Sequence, residues 1–153
     1  MIHRRRITRR GPDRFRLQLG AEERQLLTGL LPQLRSLLAE QPDTLGEERT
    51  RRLFPTAYPA EPELDAEYQR FMRSEIVASH LASIERIEQT IQAREITEAE
   101  LLAWVQSLNA LRLVLGTMLD VSEDGSRDDP TDPGFALYGY LSLLLEEAVS
   151  ALS

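Results

Sequence analysis

The sequence predicts a mainly α protein: an N-terminal β-hairpin packed on a four- to five-helix bundle. Three observations carry that prediction. Leucine-rich stripes recur at three- and four-residue steps along most of the chain after residue 20. Ahead of them, two short segments flank a Gly-Pro-Asp turn, and the second alternates apolar and basic residues with the period of a strand. Finally, 153 residues at 42% hydrophobic and 28% charged fit one domain able to bury one core. Residues 1–153 therefore read as a single domain, with a basic hairpin over 1–20 and a helical bundle over 21–153.

In the hairpin, Ile2–Arg9 and Arg14–Leu19 flank Gly11-Pro12-Asp13. Phe15, Leu17 and Leu19 alternate with Arg14, Arg16 and Gln18, giving one apolar and one basic face. A lone hairpin is marginal in water, so its apolar face is expected on the helices. Over Ala21–Ala39, Leu26, Leu27, Leu30, Leu31, Leu34, Leu37 and Leu38 form a broad stripe, with Glu22 and Glu23 in the first turn where the helix dipole favours negative charge. Pro32 removes a hydrogen bond and crowds the preceding turn, which predicts a kink or break near Leu30–Leu31. Asp43 or Thr44 is placed to cap a short helix through Leu53. Pro55, Pro59 and Pro62 make the connection near 54–62 irregular, with Phe54 and Tyr58 as its anchors.

A long helix is predicted from Pro62 to about Arg94, carrying Leu64, Tyr68, Phe71, Met72, Ile76, Leu81, Ile84, Ile87 and Ile91. It would be a rod of roughly 45 Å. Thr97 followed by Glu100 spells a capping box. That box opens a helix to about Leu119 with Leu101, Leu102, Trp104, Val105, Leu108, Leu111, Leu115 and Leu119 inward. The acidic stretch near 121–132 is rich in turn formers and predicts a mobile loop. Asp132 as cap and Pro133 at the first position open the last helix. Its buried side is Phe135, Tyr138, Leu141, Leu144, Leu145, Ala148, Val149 and Leu152.

No catalytic constellation is visible. Without cysteine there is no disulfide, thiolate nucleophile or sulfur-ligated zinc. Glycine-rich phosphate loops and nucleophile elbows are missing. His80 has no second ligand at helical spacing and reads as a surface or boundary histidine. The acids Asp120, Glu123, Asp124, Asp128, Asp129 and Asp132 lack calcium-loop alternation and read as solvated. The expectation is a non-enzyme with no cofactor and no metal. No segment is expected to supply the roughly 18–20 apolar residues of a membrane span, and no apolar run follows the basic N-terminus. These features predict a cytoplasmic protein that does not engage a membrane.

Charged groups within apolar stripes need partners. Arg112 interrupts Leu108–Leu111–Leu115, and Glu75 interrupts Tyr68–Phe71–Ala78. An Arg112–Glu75 contact between helices is predicted, with Asn109 as a further buried polar group. Truncating one member of a fully buried pair costs roughly 3–5 kcal/mol.

The charge distribution raises the question of partners. The first sixteen residues hold Arg4, Arg5, Arg6, Arg9, Arg10, Arg14 and Arg16 against Asp13 alone, in a chain of net charge -7. Two readings stay open: these arginines grip an acidic partner, or they lie against the protein's own acidic helices. A grip would serve a protein partner or nucleic acid, although the single aromatic, Phe15, offers no platform for stacked bases. A homodimer is compatible with either reading.

The segment Leu108-Asn109-Ala110-Leu111-Arg112-Leu113-Val114-Leu115-Gly116-Thr117 resembles the signature of an actinobacterial domain-of-unknown-function family that includes an oxidative-stress transcriptional regulator. Arg5–Gly11, Pro55-Thr56-Ala57-Tyr58-Pro59 and Glu75 extend the similarity over nearly the whole chain, while Ala110 and Met118 depart from the pattern. The resemblance implies a transcription-linked, protein-binding module, with a stress sigma factor or RNA polymerase as partner. A proteolysis-related partner is the alternative it implies. The regulator's oxidant-sensing disulfide does not carry over, because this chain has no cysteine.

Overall fold

The computed structural model describes residues 5–39, 51–54, 56–119 and 133–153. It is mainly helical, with an antiparallel three-stranded sheet at the N-terminal side. Strands β1 (Ile7–Gly11) and β2 (Arg14–Leu17) form the hairpin, followed by α1 (Ala21–Ala39). A 3-10 turn at Arg51–Leu53 precedes α2 (Pro62–Thr90). The short β3 (Glu95–Ile96) leads into α3 (Glu98–Met118), and α4 is Pro133–Leu152. Arg4, the proposed caps Asp43, Thr44 and Asp132, and the acidic stretch near 121–132 lie outside the described residues.

The hairpin forms as its alternation predicts, but its limits shift. The first strand begins at Ile7 and runs to Gly11. Ile7 pairs with Leu17, Thr8 with Arg16 and Arg9 with Phe15; the register then slips, leaving Arg10 as the extra residue of a bulge. Ile7, Phe15 and Leu17 are buried on the core side. A third strand was not foreseen. Phe15 pairs with Ile96 and Arg16 with Glu95, so β2 is the central strand.

That added strand explains why α2 stops at Thr90 rather than near Arg94. The chain turns through Ile91 and Gln92 to reach the sheet, and the Leu17 amide donates to the Arg94 carbonyl at 2.8 Å. Thr90 also serves the core: its hydroxyl donates to the Arg86 carbonyl and accepts the indole N–H of buried Trp104 at 2.8 Å. Helix α3 then opens on the foreseen box. Thr97 Oγ1 accepts from the Glu100 amide, and Glu100 Oε1 accepts from the Thr97 amide.

The α1 helix runs unbroken through Pro32, correcting the expected break. Pro32 lies on the exposed side, where the carbonyl it leaves without a partner meets water. Leu27, Leu31, Leu34 and Leu38 face inward, joining Ile84, Ile87, Leu101, Trp104, Leu108, Leu141 and Leu144 in one cluster.

Some predicted core residues are outside. Leu64, Tyr68 and Phe71 are exposed, Phe71 to 76%. The reason is length: α2 has 29 residues and its neighbour α3 has 21. At about 1.5 Å per residue, the start of α2 outreaches the helix it packs against. Leu102 and Val149 are exposed as well, because each lies on the outer side of its helix. In the irregular connection, Asp65 Oδ1 accepts the Ala57 and Tyr58 amides, Tyr58 meets the Tyr68 ring edge-on at 5.8 Å, and Arg73 lies over Phe54 at 4.2 Å.

A further expectation needs correcting. By length and composition alone, α3 and α4 are each long and apolar enough to cross a membrane, a test that the core helix of a soluble protein also passes. In α3 this apolar character has a core-building cause: Leu101, Trp104, Leu108 and Leu111 are buried.

Candidate functional site

The N-terminal arginines divide by environment. Arg6 enters a partly buried network between hairpin, α1 and α4. Its guanidinium pairs with Glu23 and lies 3.8 Å from Glu147 Oε2. The Arg6 backbone amide donates to Glu147 Oε1 at 2.6 Å, and Tyr140 donates its hydroxyl to Glu23 Oε1 at 2.9 Å. Glu147 is only 5% exposed. The Gly20 amide donates to the other Glu23 oxygen at 2.8 Å.

Charge and burial compete in this network. Burial pushes the Glu23 carboxyl upward, but the Gly20 amide, Arg6 and Tyr140 outweigh it and hold the group below the usual glutamate value. The Glu23 hydrogen bond raises the Arg6 pKa further. Tyr140 is pushed well above an ordinary phenol, by burial first and then by its bond to Glu23.

Arg9 acts on a helix end. Its Nε donates to the Ala151 carbonyl at 3.2 Å and Nη2 to the Leu152 carbonyl at 3.1 Å, satisfying acceptors that the end of α4 leaves unpaired. The same guanidinium lies 4.7 Å from the Phe15 ring centre. Arg5 donates to Ser150 Oγ at 3.0 Å, and Arg14 pairs with Glu95 at 3.3 Å. Of the two readings left open for the N-terminal arginines, the second holds for Arg6 and Arg9, which bind the hairpin to the helices. Arg10 and Arg16 alone, among the described members of that set, make no side-chain hydrogen bond or ion pair within the described residues.

Arg112 does not meet Glu75. Its Nη2 donates to Asn109 Oδ1 at 3.0 Å and Nη1 to the Tyr138 hydroxyl at 3.2 Å. Glu75 is exposed on α2. The pairing failed because Arg112 turns toward Tyr138 of α4, while Glu75 stays in solvent beside exposed Tyr68 and Phe71. Asn109, Arg112 and Gly116 instead follow one face of α3 against Tyr138 of α4. A Cβ on Gly116 would lie 3.0 Å from both the Tyr138 ring and Arg52 Nη1, so glycine lets these groups approach.

His80 is half-buried, with Nδ1 unpartnered, and burial lowers its pKa. Among the described residues, no group of three or more His, Cys, Asp or Glu is arranged to hold a metal.

Sequence reasoning missed four contributors. Glu147 carried the same signal as Arg112, a charge within an apolar stripe, and Glu23 was read only as a dipole partner. Asp13, read as a turn residue, also accepts the Glu98 amide at 2.8 Å and so caps α3 from the hairpin. Arg24 donates to the carbonyls of Leu19, Ile91 and Ala93, a role no local pattern announces.

These features define a small helical domain whose first helix-packed element is an arginine-bearing sheet. The chain belongs to the family described as Domain of unknown function (DUF2017), whose profile matches residues 4–152. It is similar to the Mycobacterium leprae protein assigned as the oxidative stress regulator AosR, with 30% identity over 129 residues, 79% of this chain and 58% of that protein. The oxidative stress regulators AosR of Mycobacterium tuberculosis and Mycobacterium bovis are 28% identical over 131 residues, with the same coverage, 79% of this chain and 58% of theirs. The chain thus spans a little over half the length of these relatives. No solved structure matches it.

Proposed function

We propose that this chain is a non-catalytic, transcription-linked regulatory module that acts by binding a protein partner in the cytoplasm. The observation that carries the reading is the similarity to regulators of oxidative stress. The surface supports it in two places. Arg10 and Arg16 offer cations on the sheet that no described side chain pairs, and Arg14, in an exposed pair with Glu95, lies between them, a set suited to steering an acidic partner. Leu64, Tyr68 and Phe71 add an exposed apolar face on α2, of the aromatic character that protein interfaces favour. A stress sigma factor is the partner that the family resemblance suggests. Lacking cysteine, the chain would respond to a signal other than thiol oxidation.

Affinity capture from a native extract tests this reading. The parent chain should retain one protein partner after nuclease treatment, and R10E/R14E/R16E should lose it. With the purified partner, the triple reversal should slow association about tenfold and flatten its salt dependence. Capture that disappears with nuclease would favour nucleic-acid binding instead. Retention unaffected by the three reversals would remove the arginines from the mechanism.

A further inference from the structure

Beyond the hairpin, the sheet borders a concavity of about 410 Å3 lined by Arg16, Arg24, Arg94, Glu95 and the backbone segment through Gln18. Three guanidinium groups reach it from separate parts of the sequence: β2, the first turns of α1, and the turn before β3. Arg24 is already fixed, with Nε on the Leu19 carbonyl at 3.1 Å and Nη1 on the carbonyls of Ile91 and Ala93. Those carbonyls orient its charge without cancelling it. Arg16 and Arg94 make no side-chain hydrogen bond or ion pair among the described residues. The one carboxylate in the lining, Glu95, is matched by Arg14 at 3.3 Å.

Like-charged groups gathered around a recess focus positive potential there, which favours an anion in it. We propose that this concavity is a binding site for a small soluble ligand carrying a phosphate or diphosphate group. Several guanidinium forks around one recess suit the multiple oxygens of a phosphate. Leu17 and Leu19 are buried in the core, so the lining presents backbone and cationic groups rather than an apolar or aromatic platform. Recognition therefore centres on the anion, not on an attached ring. Arg16 is shared with the protein-partner reading, but Arg24 and Arg94 are not, and the test needs no partner, so R94Q separates the two.

The test is calorimetric titration of inorganic pyrophosphate into the full chain, at low and at physiological salt. The parent should bind one equivalent with saturable heat. R16Q and R94Q should each weaken binding about tenfold, and R10Q, outside the concavity, should leave it unchanged. Far-UV circular dichroism of each variant separates a lost site from a lost fold; R94Q, at an exposed position, and R16Q, at a half-buried one on the polar face of β2, should match the parent. Absence of saturable binding by the parent overturns the inference. So does equal weakening by R10Q, which would reduce the effect to general cationic attraction. Binding of a short DNA duplex through Arg16 and Arg94 without pyrophosphate binding would overturn it as well.

Discussion

Arg6 and Glu23 illustrate how one residue pair decides the role of a charge. A cation at the edge of a sheet is solvated by default, yet the carboxylates of Glu23 and Glu147 and the Tyr140 ring draw Arg6 into the fold. Because the Glu23 carboxyl titrates below its ordinary value, its contribution to stability is complete above the unfolded value of about 4.3 and is lost as pH falls through the folded value. Urea unfolding across pH 6 to 3 should show the effect. The parent should lose stability on acidification, and E23Q should lose less between about pH 5 and 3 while starting from a lower value. Parallel curves would mean that Glu23 carries no part of the acid sensitivity. At this scale little was legible: the sequence marks Arg6 as basic, but the acids that meet it are 17 and 141 residues away.

The elements were more legible than their partners. The capping box announced α3, and the alternating segment announced β2, because both are signalled by a few adjacent residues. The two-residue β3 carries no period and emerges only because β2 is there to pair with it. Inward and outward faces of α2 were confused for a similar reason: both carry apolar residues, and only the length of the neighbouring helix separates them. Where α3 meets α4, the leucine–asparagine–arginine–glycine pattern acquires a physical meaning, since Asn109 and Arg112 make their bonds beside a glycine that admits Tyr138. Gly116→Val should force Tyr138 aside and destabilise the protein by about 1–3 kcal/mol in chemical denaturation. A stability equal to the parent's would show that the two helices separate freely at this point.

At the scale of the whole molecule, the hairpin is built into the helices at two ends. Asp13 caps the start of α3, and Arg9 closes the end of α4. Asp13→Ala should cost about 1 kcal/mol and accelerate amide hydrogen exchange in β1 and β2, with the centre of α3 much less affected. Unchanged exchange in the sheet would refute the coupling. The fold class was readable because hydrophobic periods and turn residues are local signals. The division of the arginines into structural and available groups was not, because it depends on which distant helix comes to rest beside each one.

The Arg6 amide and Glu147 are 141 residues apart in the chain, and Arg9 and Ala151 are 142 apart. A ribosome therefore produces the hairpin well before the helix that receives it. Throughout synthesis the nascent arginines lack these acceptors, and the long loop must close before the contact rewards it. The slowest stage of maturation should be the docking of α4 onto β1, after the shorter-range contacts of the hairpin and of α2 with α3 have formed.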